Sequence, residues 1–102
     1  MSSFDQEIDI ARNLKTVEWL KTEQVSSLAN LFKALIRGQE EPILESLANT
    51  IVATYLLGKR VGINFSKIDL KVESIIRMNI QEEHEVEKWY GDLSNLLHYL
   101  KK

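Results

Sequence analysis

Cysteine is missing from the chain. Its absence removes disulfides, thiolate metal ligands and cysteine nucleophiles together, and it suits a reducing cytosol. Glycine and proline are sparse. Pro42 is the single proline, and Gly38, Gly58, Gly62 and Gly91 are isolated from one another. No glycine-rich loop can therefore cradle phosphate, and none of the serines at 26, 27, 46, 66, 74 and 94 sits in a glycine-flanked nucleophile elbow. A basic excess is also lacking: 13 Lys and Arg stand against 15 Asp and Glu. With no surplus cations to release counterions, DNA and RNA are not expected as partners. Long hydrophobic runs are absent too. The most apolar window, residues 43–57, is too short to span a bilayer and contains Glu45, Ser46, Asn49, Thr50 and Thr54. The opening Met-Ser-Ser-Phe-Asp-Gln-Glu has neither a basic nor an apolar region of a secretory signal. The expectation is a soluble cytoplasmic protein with no membrane partner.

What is present points to helices. At 44% hydrophobic residues, dominated by Leu and Ile, 102 residues suffice for one core and are read as a single domain over residues 1–102. Ser3 and Gln6 have capping-box spacing at the start of a first helix. Thr22 is placed to cap a second helix over residues 23–37, stopped by Gly38. At about 100° per residue, Val25, Leu28, Leu31, Phe32, Leu35 and Ile36 cover one side of it, and Glu23, Ser26, Asn30, Lys33 and Arg37 cover the other. Pro42, following Glu40 and Glu41, suits the first turn of a third helix that ends near Gly62. That helix is apolar nearly all round, so it is expected to be central, with Ser46, Asn49 and Thr50 forming a narrow polar seam. Ser66 and Asp69 suggest the cap of a fourth helix through Met78. A fifth is expected over residues 84–100, anchored by Trp89 and Tyr90 as core packing or, failing that, as an oligomer contact. No segment reads as a strand, so the fold class is all-α with about five helices.

The stretch Leu28-Ala-Asn-Leu-Phe-Lys-Ala-Leu-Ile-Arg-Gly38, then Glu45-Ser-Leu-Ala-Asn-Thr-Ile-Val and Tyr55-Leu-Leu-Gly-Lys-Arg-Val-Gly-Ile63, resembles the MazG-like family over about residues 20–79. The resemblance implies an antiparallel helical core. It also implies kinship with enzymes that hydrolyse nucleoside triphosphates to monophosphate and pyrophosphate, and association as dimers or pairs of dimers through the central helices. The family motif is Glu-Glu-x-x-Glu on one helix and Glu-x-x-Asp on the next, and these acids hold magnesium. In this chain the corresponding positions are Ser26, Ser27 and Asn30, then Ser46 and Asn49. All five acids are replaced, as in a divergent short branch of the family.

Magnesium takes hard oxygen ligands, normally including charged ones. Hydroxyls and amides remove the electrostatic reason for a divalent ion to bind, and they remove the mutual repulsion of clustered carboxylates. The reading is therefore a non-catalytic MazG-like protein with no metal and no cofactor: a nucleotide-sensing, regulatory or scaffold module. Two alternatives stay open. One is an active, magnesium-dependent pyrophosphohydrolase whose ligands are rebuilt from Glu23, Glu40, Glu41 or Glu45. The other is a structural protein that acts through helix contacts alone. By the resemblance, Lys71 and Arg77 are phosphate-contact candidates, with two solvated charges as the simpler reading. His84 and His98 lack any zinc spacing and are read as surface histidines.

Overall fold

The computed structural model describes residues 3–102, and among them the structure is helical throughout: α1 (Ser3–Arg37), α2 (Glu40–Arg60), α3 (Phe65–Gln81), α4 (Glu85–Tyr90) and α5 (Asp92–Leu100). The all-α expectation holds. There are five helices, although they are not divided where the sequence suggests. Two compact units divide the chain, Met1–Ile63 and Asn64–Lys102.

The first unit is an antiparallel hairpin of α1 and α2. Thr22 does not interrupt α1. Its hydroxyl donates to the Glu18 carbonyl at 3.2 Å, as Thr16 does to Arg12 at 2.8 Å, so each polar side chain is satisfied inside a continuous 35-residue helix. The helix stops at Gly38, which takes φ +68° while its N–H reaches the Ala34 carbonyl at 2.9 Å. A left-handed residue closes a helix cheaply only when it lacks Cβ. Gln39 then turns extended, and α2 starts with Glu40 and Glu41 in its first turn and Pro42 just behind them. At the far end, Ile63 N–H bonds the Gly58 carbonyl at 2.9 Å and Gly62 N–H bonds the Lys59 carbonyl at 3.2 Å. With Gly62 at φ +89°, this is a Schellman closure.

The seam between the two helices repeats every seven residues. Leu20, Ser27 and Ala34 are buried on α1, and Ser46 and Ala53 on α2. Val17, Gln24 and Leu31 are half-buried between the first set, and Ile43, Thr50 and Leu57 flank the second. A seven-residue repeat keeps one stripe of each helix facing its partner. Register is pinned where Asn13 Nδ2 donates to the Arg60 carbonyl at 3.3 Å and where Gln24 Nε2 donates to Thr54 Oγ1 at 2.8 Å. Among the described residues, only Leu20, 2% exposed, is a large fully buried side chain. Such a burial is worth about 1.5–3 kcal/mol, against about 1–2 kcal/mol of backbone entropy for each residue ordered. Small side chains at the other buried positions let the helices approach closely, but they bury little.

Heptad geometry gives the hairpin two unlike flanks. One carries Val25, Leu28, Phe32, Leu35 and Ile36 from α1 beside Leu44, Leu47 and Ile51 from α2, all exposed. Ile36 is 87% exposed. The expected all-round packing of the second long helix is thus not supplied within the hairpin, because α1 covers only one stripe of α2. The other flank, polar near the α1–α2 turn and apolar around Trp19, Val52 and Leu56, holds the candidate site.

The second unit starts at Asn64. Its Oδ1 accepts from Lys67 N–H at 2.9 Å and from Ser66 Oγ at 2.8 Å. Asn64, rather than the expected Ser66, is therefore the cap of α3. Glu73 on α3 accepts from Arg77 at 3.0 Å and from Lys101, just beyond α5, at 3.2 Å. The expected last helix is broken into α4 and α5 at Gly91, φ +68°. Glu87 bridges the break, accepting from Ser94 N–H at 3.0 Å and Ser94 Oγ at 2.7 Å, which caps α5 where glycine has no side chain to do so. His84 caps α4 through Nδ1, which accepts from Val86 N–H at 3.1 Å. Trp89 and Tyr90 stack edge to face at 6.3 Å and are exposed, so neither is the core anchor expected of them.

Candidate functional site

The five positions that the resemblance sets against the family's acids all lie on the hairpin, but they do not share one environment. Ser27 and Ser46 are buried in the seam, at 5% and 7% exposure. Each occupies a heptad position facing the opposite helix, where a small side chain fits and a glutamate would have to carry charge out of water. Asn30 and Asn49 lie one step off the seam on the polar flank. There, Asn30, Ser46 and Asn49 line a common cavity of about 280 Å³ near the α1–α2 turn. Ser26 is exposed and does not line it. Convergence across the two helices is thus observed for Asn30, Ser46 and Asn49. Ser27 sits behind them, between the helices.

Three charged residues complete that cavity: Lys33 and Arg37 from α1 and Glu45 from α2. A second cavity of about 260 Å³ continues along the same flank, lined by Trp19, Leu20, Glu23, Asn49, Val52, Ala53 and Leu56. Asn49 belongs to both. The two cavities adjoin at Asn49, and together they give the flank a cationic end by the turn and an aromatic, apolar end farther along α1. The sequence had already placed Lys33 and Arg37 on the polar side of this helix. Their spacing from Asn30, three and seven residues, is the signal that sets them beside it. Trp19 offered no such signal, because it precedes the stretch where the motif positions lie.

The magnesium ion implied by the resemblance does not fit these residues. Its donors would be hydroxyls and amides with no formal charge, two of them locked in a helix–helix seam. Of the acids considered as replacements, Glu23 and Glu45 line different cavities, while Glu40 and Glu41 occupy the first turn of α2 and line neither. Among the described residues, no three His, Asp or Glu side chains converge as a metal-ligand set. An effective dielectric near 20 gives about 4 kcal/mol for two unit charges 4 Å apart, so each carboxylate lost from a dication's surroundings is a large loss.

Lys71 and Arg77 are on α3, in the other unit. Arg77 is held by Glu73 through Nε at 3.2 Å and a terminal nitrogen at 3.0 Å. Any phosphate would have to displace that pair. Lys71 is exposed. The Glu73 carboxyl is held below its usual range by the hydrogen bond from Arg77, then by that from Lys101.

No curated protein and no solved structure matches the chain. A family model does, over residues 10–93, which spans both units and reaches beyond the resemblance visible in the sequence on either side. By that match, the chain belongs to the MazG-like family.

Proposed function

We propose that this protein is a non-catalytic MazG-like module that binds a nucleotide and acts as a sensor or scaffold in the cytoplasm, as a homo-oligomer. The observation that carries the reading is the neutral donor set at Ser26, Ser27, Asn30, Ser46 and Asn49. Pyrophosphohydrolysis of a triphosphate needs a cation to gather the phosphate oxygens and an activated water. Neutral oxygens can hydrogen-bond a ligand, but they neither recruit the ion nor act as a base near neutral pH. The polar groove remains open and lined by hydrogen-bonding groups, which favours binding over a purely structural role. Self-association is supported by the apolar flank of the hairpin, and no helix among the described residues is long and apolar enough to cross a membrane.

The test is pyrophosphate release from a panel of ribo- and deoxynucleoside triphosphates with magnesium and with manganese, alongside calorimetric titration of the same nucleotides. Saturable binding without turnover is expected. Turnover would restore the enzyme reading, with Glu23 and Glu45 as the first acids to mutate. The absence of both binding and turnover would leave a protein partner as the function.

A further inference from the structure

We propose that the groove takes the phosphate groups of its nucleotide directly on Lys33 and Arg37, with no divalent ion between them, and that Trp19 receives the base at the opposite end. This rests on the nucleotide-binding reading and specifies how such a ligand would be held.

Lys33 and Arg37 are one helical turn apart and line the same cavity as Asn30, Ser46 and Asn49. Among the described residues, neither side chain makes a hydrogen bond or an ion pair, whereas Lys21, Arg77, Lys88 and Lys101 are each paired with a glutamate. Side chains on a helix lean toward its N-terminus, so both cations lean from the turn toward the middle of the groove. Glu45 is the one carboxylate among the cavity's lining residues, which leaves the lining with a net positive charge. An arginine can grip phosphate oxygens in a fork, and a lysine adds a point charge beside it. Asn30 and Asn49 have amide N–H donors for the remaining oxygens.

The opposite end has the complementary chemistry. Trp19, Val52 and Leu56 give it an aromatic and apolar lining, and Glu23 adds a carboxylate that accepts from ring or exocyclic N–H groups. Glu23 also repels phosphate, so the two ends give the groove a direction. At about 1.5 Å rise per residue, Trp19 and Lys33 lie about 21 Å apart along α1, a span that an extended nucleoside triphosphate bridges with Lys33 reaching back toward the helix N-terminus. In this arrangement the positive charge that relatives recruit as a metal is carried by the chain itself.

Calorimetric titration of the full chain with ATP, GTP, CTP, UTP and inorganic triphosphate, in EDTA at low salt and again with magnesium, tests the assignment. At least one nucleotide is expected to bind in EDTA at least as tightly as with magnesium, and to weaken as salt is raised. The Lys33→Met, Arg37→Met double variant should lose tenfold or more in affinity, whereas Glu45→Gln should tighten binding. Trp19→Ala should weaken nucleotide binding while sparing inorganic triphosphate. Lys33 and Arg37 are exposed, so unchanged far-ultraviolet circular dichroism is expected of the double variant. Nucleotide binding that requires magnesium, or that survives the double substitution, overturns the cation assignment and leaves the sensor reading standing. Inorganic triphosphate binding as tightly as every nucleotide overturns the role of Trp19. Binding of no nucleotide under either condition removes both the assignment and the sensor reading.

Discussion

Single side chains carry the functional argument, and some of them could be read without coordinates. The proposal that serine and asparagine stand where the family keeps five acids needs only the sequence and the register of the family motif. What the sequence could not reveal is that two of the five, Ser27 and Ser46, lie between helices while Asn30 and Asn49 face a groove. That division depends on which stripe of α1 meets α2, and the register is set by tertiary pairs such as Gln24 with Thr54. The sequence places Lys33 and Arg37 on the polar side of their helix and no further, because an unpaired cation is recognisable only once its surroundings are known. Glu73 illustrates the converse: its pairing with Arg77 is local and four residues long, but its second partner, Lys101, is visible only in the fold. Because the folded carboxyl titrates below its ordinary value, its pairing stabilises the protein above the unfolded glutamate range. That contribution is lost as pH falls through the lower, folded value. Carboxyl-detected NMR titration should place Glu73 below the other glutamates, and Arg77→Gln should move it back up. A Glu73 midpoint equal to that of exposed glutamates would contradict the clamp.

At the scale of elements, helix content was legible and helix boundaries were only partly so. Gly38 and Gly62 mark true ends because their backbones take positive φ, where any other residue would be strained. Gly91 takes the same conformation and divides the last helix, but its neighbours Trp89, Tyr90, Leu93, Leu96 and Leu97 keep an unbroken helical period, so periodicity ran across it. Thr22 failed in the other direction. A threonine is a fair helix cap, but here its hydroxyl bonds back to the carbonyl four residues earlier and the helix continues. Capping at Asn64 instead of Ser66 is the same competition between neighbouring side chains, won by the one whose oxygen reaches the Lys67 N–H. Local patterns name the candidates for a helix end. Backbone geometry chooses among them.

On the molecular scale, the hairpin exposes an apolar flank. Eight exposed aliphatic and aromatic side chains cover one flank of α1 and α2, from Val25 to Ile51. At roughly 100 Å² each, they approach the ~800 Å² per partner that a standard protein interface buries, and they exceed the apolar patch of a typical monomer. The most economical occupant is the same flank of a second copy, which would complete the packing that α1 alone does not give α2 and leave the polar flank open. Light scattering should give a mass at least twice 11.8 kDa at micromolar concentration, and Phe32→Glu should shift it toward that of one chain. A single-chain mass for the unmodified protein across that range would contradict self-association.

The central claim is that neutral oxygens at the family's ligand positions cannot hold the ion on which the family's chemistry depends. Its most direct test is calorimetric titration of the unmodified chain with manganese, beside a variant that places acids at the two groove-facing positions as Asn30→Glu and Asn49→Asp. The account predicts no saturable heat for the unmodified chain, and saturable binding, with manganese-dependent stabilisation, for the variant. Tight stoichiometric binding of manganese by the unmodified chain would contradict it.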